Sequence, residues 1–165
     1  MDRMVATVFG IGYLRPAPGT WASAVTVLLA VLAYECLSPW LVPAGFVAAT
    51  LLGFWTVPRL LAAGPDKDPS WVVIDEVAGQ SLALCFTVVP LARHGVSILD
   101  AWPGYVVPFL LFRLFDIWKP WLVGRADRRG DATGLMLDDI LAGLFAGLGS
   151  VMLAGLYHAV LEPML

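Results

Sequence analysis

Six carboxylates stand in or beside stretches that otherwise carry almost no charge: Asp75 and Glu76, Asp116, Asp127, and Asp138 with Asp139. An ionised group near the middle of a membrane-spanning helix costs at least about 2.5 kcal/mol, less toward the helix ends, so residues kept there usually mark function. Brought together, the six repel one another. A hard divalent cation resolves that repulsion, and Mg2+ in particular takes oxygen ligands while keeping waters and substrate phosphate oxygens around it. The expected metal ligands are Asp75, Glu76, Asp116, Asp138 and Asp139. Of these, Asp75, Glu76, Asp116 and Asp139 are also expected to carry catalysis by positioning water. Arg113 and Lys119 flank Asp116 at steps of three residues, which drift only about 60° each around a helix, and offer cationic groups to an anion. The loop Pro16-Ala-Pro-Gly-Thr20 presents backbone N–H groups at a helix start, where phosphate binds readily, so Thr20 joins the substrate-binding set. Arg125, Arg128 and Arg129 crowd a short stretch, and each basic residue at an interface favours anionic lipid by about 1 kcal/mol. Arg128 is a further substrate-binding candidate, with Asp127 beside it.

Each of these residues has a plainer reading. Acids in a helix's first turn complement its macrodipole, which would account for Asp138 or Asp139 singly. Ser70 would cap a helix carrying Asp75 and Glu76, and Asp116 would simply pair with Arg113 or Lys119. Asp66, Lys67 and Asp68, flanked by prolines, read as a solvated turn without chemistry. The two histidines, His94 and His158, fall on the side away from the acids, and no Cys-x5-Arg phosphate loop is present. Among phosphatase chemistries this leaves water activated by a metal, or an aspartate nucleophile assisted by one. The water route is favoured because the acids read as a ligand set.

The elements that must position these groups are membrane helices. Hydrophobic residues make up 59% of 165 and charged residues 14%, and mean hydropathy is +0.81, well above the roughly 45–50% apolar share of soluble proteins. The length suits one domain, residues 1–165. A net charge of −3 supplies no basic field for nucleic acid. Cys36 and Cys85 lie in apolar runs, without the spacing of a zinc site or disulfide framework. A helix needs about 20 mostly apolar residues to span a bilayer, and five runs qualify: Thr20–Leu37, Leu41–Val57, Trp71–Val89, Leu99–Lys119, bent by Pro103 and Pro108, and Leu135–Leu161. The fold class is therefore an all-α polytopic membrane bundle. Threaded in alternation, the five place eight of the ten basic residues on one side, with Arg93 opposite and Arg113 inside a span. The positive-inside rule makes that side cytoplasmic, and all six acids fall on it. Small residues, Gly79 and Ala83 in the third run and Gly143, Gly147 and Ala154 in the fifth, permit close helix packing.

The same blocks carry a family resemblance. Phe9-Gly-Ile-Gly12, Pro18-Gly-Thr20 with Ser23, Asp75-Glu76 with Gly79, Phe112-Arg-Leu-Phe-Asp116-Ile-Trp-Lys-Pro120, Asp127-Arg128, and Gly134 with Met136, Asp138-Asp139 and Ala142-Gly143 make the chain resemble the phosphatidylglycerophosphatase A family over most of its length. The resemblance implies Mg2+-dependent hydrolysis of the phospholipid phosphatidylglycerophosphate to phosphatidylglycerol and phosphate at the bacterial inner membrane. The pattern departs from the family at Ala22, at Leu122 and in Gly130–Gly134, so Asp131 is not counted as a ligand. Two readings from other classes use the same acids: an ion carrier or channel, whose acids should continue across the membrane, and an accessory membrane subunit, which leaves the paired acids unexplained. Oligomeric state is not legible.

Overall fold

The computed structural model describes residues 1–64 and 69–161, which form helices and their connections. Asp66, Lys67 and Asp68 lie outside the described residues. All five expected helices are present, with ends set by local chemistry. A short helix α1 (Asp2–Ala6) and a 3-10 turn (Ile11–Tyr13) lead into α2 (Pro18–Cys36). Proline opens α2 because its missing N–H is one that a first turn cannot use anyway. Helix α3 (Leu41–Ala63) runs six residues past the expected end, straight through Pro58. Leu60 and Leu61 pack against the cluster of Ala6, Val57 and Val72, and that burial outweighs the backbone bond a proline removes.

Helix α4 (Ile74–Arg93) begins three residues later than expected. The Val73 N–H donates to the Ala6 carbonyl at 2.9 Å, so residues 71–73 are held by α1 and cannot join the helix. Val73 is the N-cap, and Ser70 caps nothing. Asp75 and Glu76 consequently lie in the first turn, where the macrodipole favours them. Helix α5 (Pro103–Trp118) is shorter than its apolar run, because Pro103 starts it instead of bending it. It ends at Lys119, which takes a left-handed conformation (φ 49°), rare for a residue with a Cβ. That turn launches α6 (Trp121–Asp127), an element without hydrophobic periodicity of its own. Helix α7 (Ala132–Leu156) starts three residues early, since the Asp131 carboxylate accepts the Gly134 N–H at 2.6 Å as an N-cap, and a π-helical turn (Tyr157–Leu161) follows it.

Helices α2, α3, α5 and α7 all pack on α4, which is half buried along its apolar window where α2, α3 and α7 are only 28% buried. It is the axis of the bundle. Four helices, α2, α3, α4 and α7, are long and apolar enough to cross a membrane, while α5, at 16 residues, rises only about 24 Å against a hydrocarbon core of about 30 Å. Leu28, Leu29, Leu51, Leu110 and Met152 point outward and are exposed, as lipid-facing residues of a polytopic membrane protein are. Ala154 belongs to that outer surface and packs no helix.

Candidate active site

The approach of α4 to α7 decides where the acids meet. A Cβ on Gly143 would stand 2.2 Å from the Gly79 carbonyl oxygen, and one on Gly79 would stand 2.4 Å from the carbonyl oxygen of Asp139. The two backbones therefore touch, as small residues permit in membrane helices. One turn before Gly79 come Asp75 and Glu76, and one turn before Gly143 comes Asp139, so in this parallel pair the crossing delivers the acids to the same level. Oxygens of Asp75, Glu76 and Asp139 lie within 4.8 Å of one another. Asp75 and Asp139 are 7% and 4% exposed. Asp116 adds a fourth carboxylate close enough to act electrostatically on Glu76 and Asp139.

All six carboxylates singled out from the sequence line one cavity of about 300 Å3, together with Arg113 and Lys119. The starts of α2, α4 and α7 and the end of α5 form its walls. Arg113 Nη1 lies 2.7 Å from Asp116 Oδ2, the pairing that the plainer reading expected, but the contact is not aligned as a hydrogen bond. The buried Nε and Nη1 groups of Arg113 are left without acceptors among the described residues. Lys119 does not pair with Asp116. Its ammonium donates to Asp127 and, at 2.8 Å, to Asp138. Burial alone would lower the Lys119 pKa, but the hydrogen bonds to these two carboxylates prevail and hold it above the ordinary lysine value.

Two groups of residues take on a different meaning once placed in the fold. Asp138 and Asp139 lie in the second turn of α7, past the reach of capping, and Asp131 performs that task, paired as well with Arg129. Although Asp131 lines the cavity, its carboxylate serves the helix end. Thr20 and Arg128 do not line the cavity; Ala17, Pro18 and Gly19 do. Gly19, singled out in the sequence for its backbone N–H, has a second task that the sequence did not announce. A Cβ there would fall 2.1 Å from Glu76 Oε1 and 3.2 Å from Arg113 Nη1, so only glycine lets the start of α2 lie against both. The N–H groups of Gly19 and Thr20 precede the first helical bond, which Trp21 makes to Ala17, and remain available to an anion. Ser70, which the sequence offered only as a helix cap, also lines the cavity.

The donor set suits a hard cation. Arg113 and Lys119 pair with Asp116, Asp127 and Asp138, and no basic side chain among the described residues pairs with Asp75, Glu76 or Asp139. Glu76 Oε2 is buried and accepts no hydrogen bond, an unmet demand that a metal ion would satisfy.

Comparison with known proteins finds phosphatases. The profile of the family described as Phosphatidylglycerophosphatase A matches residues 4–154. A protein of Bacteroides thetaiotaomicron named "Putative phosphatidylinositol-3-phosphatase" is 35% identical over 149 residues, covering 87% of each chain. The Phosphatidylglycerophosphatase A of Haemophilus influenzae is 30% identical over 144 residues, covering 87% of this chain and 82% of its own. That of Escherichia coli is 39% identical over 46 residues, 27% of each chain. No solved structure matches significantly.

Proposed function

Because the chain belongs to the phosphatidylglycerophosphatase A family of phosphatases, we propose that it hydrolyses the terminal phosphomonoester of phosphatidylglycerophosphate, giving phosphatidylglycerol and phosphate, with Mg2+ as cofactor. The observation that carries this reading is the group of three carboxylates, buried Asp75 and Asp139 with half-buried Glu76, whose oxygens converge without a salt bridge to any described residue, beside the Arg113 guanidinium with its unused Nε donor. Asp75, Glu76 and Asp139 would hold the metal, with Asp116 and Asp138 completing the carboxylate ring. When bound, the ion neutralises phosphate charge and makes water a better nucleophile at neutral pH. Arg113, already oriented by Asp116 through Nη1, offers Nε to phosphate oxygens, and the amides of Gly19 and Thr20, at the start of α2 that lies against Arg113, receive the same anion. Lys119 holds α6 and α7 in place through Asp127 and Asp138 and lends its charge to the same cavity. Arg128, exposed at the end of α6, serves the anionic lipid surface.

The topology supports one membrane domain over residues 1–165 with its cavity at the cytoplasmic face of a bacterial inner membrane, because the basic residues gather on the side of the acids. The name of the Bacteroides relative favours a second reading in which a phosphorylated inositol lipid is the substrate. Phosphate release from purified protein in detergent, measured on a panel of lipid phosphates with Mg2+ or with chelator, tests both readings. The expected result is turnover of phosphatidylglycerophosphate that chelator abolishes and Mg2+ restores. Release that ignores chelator removes the cofactor assignment, and turnover of the inositol lipid alone transfers the substrate to the second reading.

A further inference from the structure

A second cavity, of about 370 Å3, is lined by Gly12, Tyr13, Arg15, Pro16, Pro18, Ser70 and Trp71. It shares Pro18 and Ser70 with the acidic cavity, so the two are adjoining lobes. Their charges are opposite. Seven carboxylates line the acidic lobe against Arg113 and Lys119, whereas Arg15 is the only charged residue lining the second among the described residues. Arg113, Lys119 and Arg129 are all in ion pairs, and Arg3 and Arg59 lie over tryptophan rings. Arg15 is exposed and makes no ion pair or hydrogen bond with any described residue. Phe9, Tyr13, Leu14 and Trp21, within six residues of Arg15 along the chain, are exposed, the kind of aromatic and apolar surface that settles at a membrane interface.

From this geometry we infer that Arg15 is a specificity-determining residue whose guanidinium binds the inner phosphodiester of a lipid substrate while the terminal phosphomonoester occupies the acidic lobe. The inference rests on the proposed phosphatase reading and deepens it. A diester anion drawn along the acidic wall would meet carboxylates, but in the adjoining lobe it meets an unspent bidentate cation suited to phosphate oxygens. The chemistry recognised is a diacylglycerol phosphodiester whose headgroup ends in a phosphomonoester. Glycerol and inositol headgroups both meet that description, whereas a lipid with a monoester alone does not.

The test compares the full-length protein with R15Q and R15K in detergent. KM and kcat are measured for phosphatidylglycerophosphate and for phosphatidic acid, and binding of short-chain phosphatidylglycerol, which carries the diester alone, is measured with chelator present. Loss of one charged contact should raise KM for phosphatidylglycerophosphate about tenfold in R15Q, with kcat unchanged, KM for phosphatidic acid unchanged, and phosphatidylglycerol binding weakened by a similar factor. R15K should recover part of the loss. Equal effects on both lipids, or unaltered phosphatidylglycerol binding in R15Q, would overturn the inference. Should the wild-type protein hydrolyse neither lipid, the phosphatidylglycerophosphate reading fails, yet the binding arm still decides whether Arg15 reads a diester.

Discussion

Glu35 and Glu76 are the same residue type at opposite ends of the bundle, and their hydrogen bonds separate structure from function. Near the end of α2, Glu35 accepts from the Ser97 hydroxyl at 2.7 Å and from the Ile98 N–H at 2.8 Å. Beside it, the Tyr34 hydroxyl donates to the Val96 carbonyl. These contacts fasten α2 to the turn that precedes α5, and Glu35 Oε1 is fully occupied by them. Glu76, by contrast, is half-buried among Asp75, Asp116 and Asp139, and its buried Oε2 accepts nothing. A buried polar atom left unpaired costs on the order of 1–3 kcal/mol. One glutamate relieves a demand of the fold, and the other keeps a demand open for something the fold does not supply.

The sharpest way to break this contrast is to make both side chains neutral. Glu76→Gln or Asp139→Asn should cut phosphate release by at least about a hundredfold, beyond the tenfold to hundredfold loss typical of groups that merely support metal ligands, with folding retained by circular dichroism. Glu35→Gln should leave turnover intact and lower only the melting temperature. Equal losses of turnover at both positions would erase the distinction.

A second prediction concerns the crossing that assembles the acidic end. Gly143→Val drives side-chain atoms into the Gly79 carbonyl, so it should destabilise by about 1–3 kcal/mol as overpacking does and also abolish turnover. Thermal unfolding and the lipid assay check the two effects together. Gly19→Ala is gentler, because the atom it meets is the movable tip of Glu76. It should leave the melting temperature unchanged and lower turnover by about tenfold to a hundredfold through misplacement of Glu76. Normal activity in this variant would show that Glu76 needs no fixed position.

The smallest effect expected is one of pH. Lys119 has its folded pKa raised, so the stability it contributes is fully present below the ordinary lysine value of about 10.4 and is lost only as pH rises through the raised value. The difference in melting temperature between wild type and Lys119→Met should therefore be constant from about pH 7 to about pH 10. A difference that shrinks across that range would mean that the contacts with Asp127 and Asp138 do not hold the proton.

Much of this was legible in the residues because the membrane simplifies the code. Uncharged runs gave five helices, and the alternation of sides was enough to gather Asp75, Glu76, Asp116, Asp127, Asp138 and Asp139 at one end, where they line one cavity. What escaped has a common physical cause, since it depends on contacts between segments distant in sequence. Helix α6 exists because Lys119 turns left-handed, and the late start of α4 follows from the bond between Val73 and Ala6. Likewise, the task of Gly19 is defined by a glutamate 57 positions away. Asp131 is the exception, because its capping role was readable locally as an Asp three residues before the glycine whose N–H it accepts.

The bare contact between Gly79 and Gly143 has a consequence for how the molecule tolerates change. Spacing between the two acid-bearing turns is set by main-chain atoms at van der Waals distance, with no rotamer interposed. Leu28, Leu51, Leu110 and Met152 can therefore be exchanged for other lipid-soluble residues, or the bilayer around them thinned or thickened, without retuning the centre. The crossing of α4 and α7 is calibrated by peptide backbone, leaving the periphery free to follow whatever membrane the cell makes.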